Sequence, residues 1–211
     1  MEYNTLDLHI PINLDKAGSF IYDLLTTLDK NGIKIPSIAD WDYDLRKAFN
    51  SVGDVKIFDT EFFKDKRFPY EVRLYLICNN HRNLNNSEKW FEFAILFKTS
   101  QLANDKENDD YFMSDFKYST SCKETILQLC KNLSKVFPEA YITFTNEYND
   151  CGVIEFIENF DFAAEIELYS DFEMAIVPKT KLGNCFATNG QIIDCDNNRI
   201  LIRNDFMINN E

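Results

Sequence analysis

VFPEAYITFTNEYNDCGVIEFIENFDFAAEIELYSDFEMAIVP, running from Val136 to Pro178, combines strong strand character with an unbroken excess of acid. Its 43 residues hold ten acids, Glu139, Glu147, Asp150, Glu155, Glu158, Asp161, Glu165, Glu167, Asp171 and Glu173, and no Lys, Arg or His. Tyr141 to Thr145, Val153 to Ile157 and Phe162 to Leu168 are rich in aromatic and β-branched residues that alternate with other types, which is the period of a strand. Between Asp161 and Tyr169 the even positions Phe162, Ala164, Ile166 and Leu168 share one face, and Asp161, Glu165 and Glu167 share the other. Between Asp171 and Val177 the apolar set is Phe172, Met174 and Ile176, which leaves Asp171 and Glu173 outside. These two segments are expected to form a hairpin around Ser170, a sheet with one acidic face.

The flanking sequence extends this into an α+β chain. Ser121 and Glu124 have the spacing of a capping box, and Ile126, Leu129, Cys130, Leu133, Val136 and Phe137 follow at helical spacing up to Pro138. Beyond the acidic strands, Cys185 to Thr188, Gln191 to Cys195 and Ile200 to Arg203 are expected strands, the last two joined by a tight turn at Asp196-Asn197-Asn198. In the first half, Leu6, Leu8, Ile10 and Ile12 alternate with Asp7, His9 and Pro11. This is an opening strand, placed near a sheet edge because Pro11 has no N–H for a ladder. Ala17, Phe20, Ile21, Leu24, Leu25 and Leu28 then form a helical stripe that Asn31-Gly32 ends. A second helix, capped by Ser37, runs through Trp41, Leu45, Ala48 and Phe49 to Gly53.

Val55 to Phe63, Tyr70 to Cys78 and Trp90 to Thr99 are further strands, and Tyr111 to Tyr118 is a weaker one. The whole is expected to be a largely antiparallel sheet with about three helices packed on one face, a single domain over 1–211. A subdivision into 1–103 and 111–211 would fall in the polar loop 104–110. Strand, helix and three strands recur in both halves, but no residue-level similarity between them favours duplication over an ordinary α+β order.

Composition narrows the function. With 45% apolar residues, 19 Phe, 10 Tyr and 2 Trp, the chain can bury a core and is no disordered acidic tail. Its net charge of −13, from 35 acids against 22 bases, repels phosphate backbones, so direct nucleic-acid binding is not expected. No apolar run approaches the ~18 residues that a membrane helix needs, and Met1-Glu2-Tyr3-Asn4-Thr5 is not a basic-then-apolar leader, so a cytoplasmic location is expected. The six cysteines form no CxxC pair and are read as free thiols.

Sites of chemistry are sparse. Cys78 and His81 have the spacing of half a zinc site, and His9 stands alone, so no metal is expected. Asp59 with Glu71-Val72-Arg73 faintly echoes a metal-dependent nuclease, yet alternating charges on a strand are also the ordinary polar side of a pleat. No GxGxxG, Walker loop, HExxH or nucleophile elbow occurs, so no catalytic residue and no cofactor is assigned. The acids remain. Like charges gathered on one surface repel, and a cationic partner relieves that repulsion. The expected function is an acidic binding protein of inhibitor or immunity type that neutralises a basic protein such as a toxin or nuclease. Its contact residues would be Glu155, Glu165, Glu167, Asp171 and Glu173, flanked by Tyr141, Tyr148 and Tyr169 as desolvated anchors. The alternatives are a DNA-mimicking inhibitor of a DNA-binding protein and a metal-assisted hydrolase with a carboxylate pair.

Overall fold

Apolar alternation carries the chain from Tyr3 to Asn13 as β1, and the period then changes to 3.6 at Asn13, whose side chain accepts from the Lys16 N–H at 3.2 Å and so starts α1, Leu14–Lys30. The computed structural model describes residues 3–35, 41–79, 88–103, 117–146, 172–180, 190–203 and 206. Among them are three α-helices and nine strands of one large antiparallel sheet, so the α+β class holds. The chain divides into two compact units, Asp7–Leu96 and Met1–Leu6 with Phe97–Glu211.

In the first of these, α1 buries Ala17, Phe20, Ile21, Leu24 and Leu28, the stripe read from the sequence. Phe20 meets Phe91 edge-on at 5.6 Å, and Phe49, from α2 (Trp41–Asn50), lies 5.8 Å from the same ring. Gly32 ends α1 in the left-handed region, φ 86°, and a Cβ there would stand 2.7 Å from the Arg67 carbonyl oxygen. Arg67 in turn pairs with Asp29 and Asp65, and Asp65 also accepts from the Lys34 N–H. The Arg67 guanidinium and these N–H groups hold the Asp65 carboxyl well below the usual carboxylate range.

The strand expected over Val55 to Phe63 is broken. β2 (Val55–Asp59) pairs with β4 (Glu71–Asn79), but its register slips between Lys56 and Phe58. At Thr60 the N–H still donates to the Leu74 carbonyl at 2.9 Å, but the Leu74 N–H turns to the Thr60 hydroxyl oxygen, also at 2.9 Å. Pairing resumes only at β3 (Phe63–Lys64). β5, Glu88–Lys98, follows β4 in the sheet, and the order is β2-β4-β5-β1-β6-β7-β9-β8 with β3 beside β4. β1 is therefore an interior strand, contrary to the edge position inferred from Pro11. Pro11 sits two residues from the strand's end, where a missing donor disturbs the ladder least.

The other unit contains α3 (Thr120–Val136), β6 (Tyr141–Asn146), β7 (Met174–Pro178), β8 (Gly190–Cys195) and β9 (Asn198–Arg203). The helix begins two residues before the expected capping box. Ser119, in extended backbone, accepts from the Cys122 N–H at 3.2 Å, whereas Ser121 already lies in the first turn. Ser119→Ala is expected to cost about 1 kcal/mol of stability and Ser121→Ala under about 0.5, read from thermal unfolding.

β7 pairs with β6 on one side, Ile142 opposite Ile176, and with β9 on the other, Ile176 opposite Ile200. Both edges of Met174 to Ile176 are thus occupied, and the hairpin expected between 161–169 and 171–177 is not how this strand pairs. All five residues of β7 are buried. The Asn198 amide donates to the Ser134 carbonyl of α3 at 3.2 Å, tying helix to sheet. The turn at Asp196 and Asn197 joins β8 to β9 as read from the sequence, with Asp196 at φ 46°. The expected strands Val153 to Ile157, Phe162 to Leu168 and Cys185 to Thr188 lie outside the described residues, as do residues 111–116 of Tyr111 to Tyr118.

Candidate docking site

Charge is distributed unevenly along the sequence. Outside residues 104–116 and 147–171 the sequence carries 22 acids and 21 Lys or Arg, close to balance. Residues 104–116 and 147–171 together carry 13 acids and one lysine, which is nearly the whole net charge of −13. Ala103, Tyr118, Thr145 and Glu173, each within two residues of an end of these two segments, belong to one hydrogen-bonded cluster.

The cluster is built from β1, β6, β9 and the start of α3. Ala103 and Tyr118 form an antiparallel bridge that closes the first segment, and the Ser119 N–H donates to the Leu102 carbonyl at 3.0 Å. The Glu173 N–H donates to the Phe144 carbonyl at 2.8 Å, closing the second. Asn4 joins the two closures. Its amide donates to the Tyr118 hydroxyl at 2.7 Å and to the Thr145 carbonyl at 3.4 Å, while its carbonyl accepts from the Thr99 hydroxyl at 2.9 Å. The Tyr118 hydroxyl then donates to the Glu173 carboxylate at 3.3 Å, and an Arg203 guanidinium nitrogen stands 3.6 Å from the other carboxylate oxygen.

Burial raises the Tyr118 phenol well above its ordinary value, with the negative Glu173 adding to the effect, so it remains a neutral donor. Tyr118, Phe144 and Phe206 close the apolar side, with ring centroids 5.1 to 5.8 Å apart. What such an arrangement does is hold: it offers no nucleophile and no pair of converging acids, and it ties together residues that flank both acidic segments.

The residues expected at the contact surface separate accordingly. Glu173 is buried, 4% exposed, and paired, so the outward position read from its alternation with Phe172 and Met174 is corrected. Tyr141, at 3%, is likewise core and presents no contact surface. β7 is covered on both faces, which removes the polar side that alternation assumes. Glu155, Glu165, Glu167, Asp171, Tyr148 and Tyr169 lie outside the described residues. Sequence reasoning missed Asn4, Thr99, Tyr118 and Arg203. They are polar residues whose partners lie 30 to 141 positions away.

Elsewhere Asp29, Asp59, Asp65 and Asp194 pair with nearby bases. Asp59 accepts two bonds from Arg73, at 2.9 and 2.8 Å, and one from Lys56, and the Arg73 bonds above all lower its pKa. The nuclease-like echo of Asp59, Glu71 and Arg73 is therefore an ion-paired strand surface. Among the described residues no three His, Cys, Asp or Glu side chains are grouped to hold a metal, and no helix is long and apolar enough to cross a membrane. Cys78, Cys122, Cys130 and Cys195 form no disulfide; Cys78 is buried and its pKa is pushed up to about 11 by that burial. No protein-family model and no curated protein matches the sequence.

Proposed function

We propose that the chain is a cytosolic acidic binding protein that docks on a basic protein surface, as an inhibitor or immunity protein does when it neutralises a nuclease or other cationic toxin. The observation that supports this reading is the cluster just described: residues flanking two segments with 13 acids and one lysine are joined, while the rest of the sequence is close to neutral. A chain that used acids only for solubility would gain as much from spreading them. Concentrating them raises the local potential, and that speeds encounter with a cationic partner and selects against anionic ones.

The residues proposed to make contact are Glu155, Glu165, Glu167 and Asp171, with Tyr148 and Tyr169 beside them. Glu173 and Tyr141 are buried and make no such contact. Capture from native lysate followed by mass spectrometry identifies the partner, and the triple variant Glu155→Lys, Glu165→Lys, Glu167→Lys then measures the role of the acids. Its affinity is expected to fall at least about 100-fold, roughly 2.7 kcal/mol, against little change for Asp23→Lys on the exposed side of α1. Unchanged affinity of the triple variant sinks the proposal. A DNA-binding protein as the captured partner, released steeply as salt rises, would turn the reading towards a phosphate mimic.

A further inference from the structure

The two margins of the sheet are finished differently. At one, β2 slips register, breaks at Thr60 and gives way to the two-residue β3, with Lys56 and Lys64 on it, which are devices that discourage another strand from adding. At the other, β8 faces β9 one residue to one from Gly190 to Cys195 with no slip.

The two-residue turn sets which way the backbone of β8 points. Cys195 and Asn198 flank Asp196 and Asn197, so they form the hydrogen-bonded pair that closes such a hairpin. Cys195, Ile193 and Gln191 then direct their N–H and C=O groups towards β9. Gly190, Ile192 and Asp194 direct theirs away from it, and among the described residues no strand pairs with that side. The side chains fit an occupied margin as well. Ile193 is 43% exposed, an unusual place for a β-branched apolar residue on an edge strand. Asp194 is offset by Arg199 at 3.0 Å and Lys179 at 3.9 Å, so this margin carries little of the chain's negative charge.

We propose that Gly190–Cys195 pairs antiparallel with the same strand of a second copy, about a two-fold axis through Ile193. In that register Ile192 and Asp194 each lie opposite the other in the second copy, and their outward backbone groups exchange four hydrogen bonds. Ile193 meets its own counterpart at a non-hydrogen-bonded pair, where Cα atoms approach to about 4.5 Å and side chains touch most closely. The two Asp194 carboxylates stand opposite isoleucines and never opposite each other. The pairing is isologous and closes on itself, so it yields a dimer, and the blunted opposite margin keeps it from continuing into a fibre. A second copy suits this strand better than a charged peptide, because the match is between an apolar centre and itself.

Sedimentation of the full chain over a range of concentrations tests the proposal. Wild type is expected to show a monomer–dimer equilibrium that shifts to dimer as salt screens the charge of −13. This is the opposite salt response to docking on a basic partner. Ile193→Lys and Ile193→Glu are each expected to be monomeric, by like-charge repulsion across the axis, and an equimolar mixture of the two is expected to recover the dimer. Recovery also shows that both variants are folded. A wild type that stays monomeric at every concentration, a Lys variant that still dimerises, or a mixture that fails to associate each overturns the proposal.

Discussion

Replacing Phe144 with alanine is expected to destabilise the unit that contains α3 by about 3–5 kcal/mol, the largest effect of any single truncation considered. The ring is fully buried and lies 5.5 to 6.2 Å from the rings of Phe97, Tyr118 and Phe206. Three aromatic neighbours on separate segments cannot all move into the space it leaves, so most of the cavity persists. Phe144→Leu, which keeps most of the volume, is expected to cost about 1–1.5 kcal/mol. Urea denaturation followed by tyrosine fluorescence measures both. A cost under about 1 kcal/mol for the alanine variant would mean that the cluster is not packed as described. Because the Phe144 carbonyl also receives the Glu173 N–H, the same variant is expected to loosen the closure of the second acidic segment.

The second large effect concerns charge inside that cluster. Glu173 is 4% exposed and Arg203 stands 3.6 Å from it with its own side chain 24% exposed. Arg203→Met keeps the stem and removes the cation, which leaves a buried carboxylate short of its counter-charge. The loss is expected to be about 2–3 kcal/mol, below the 3–5 typical of fully enclosed pairs because Arg203 still meets water. Adding Glu173→Gln removes the stranded charge while keeping an acceptor for Tyr118, and the double variant is expected to regain more than half of the loss. Chemical denaturation of the four members of the cycle gives the coupling directly. Losses that simply add would show that the pair contributes nothing through its charge.

The elements most legible in the sequence were those whose signal is local. The stripe Ala17, Phe20, Ile21, Leu24 and Leu28 and the run from Ile126 to Leu133 marked α1 and α3, because a helix bonds to itself within four residues. The turn at Asp196-Asn197 was legible for the same reason. What was misread depended on partners far along the chain. Ser121 satisfies the capping-box spacing, but Ser119 is held in extended backbone by the Leu102 carbonyl, and that contact decides where the helix begins. Pro11 argued for a margin, although an interior strand tolerates it close to its end. Glu173 sits between apolar neighbours, and alternation reported only one face of a strand that is covered on both. Its partners Tyr118 and Arg203 could not be paired with it by spacing. Within the candidate site, acidity itself was plain from composition, whereas the joining of the two acidic segments through Asn4 was visible only once the strands were in place.

The place of β1 in the sheet has a consequence for how the protein is made. Its neighbours are β5 and β6, and Tyr141 leaves the ribosome about 130 residues after Asn13. At ~5–20 residues per second, β1 waits on the order of 6–25 s for this later partner, with one line of backbone donors and acceptors open for that time. Translation speed through the middle of the message, and chaperones that bind nascent extended chain, should therefore govern the yield of this protein more than the stability of its finished core.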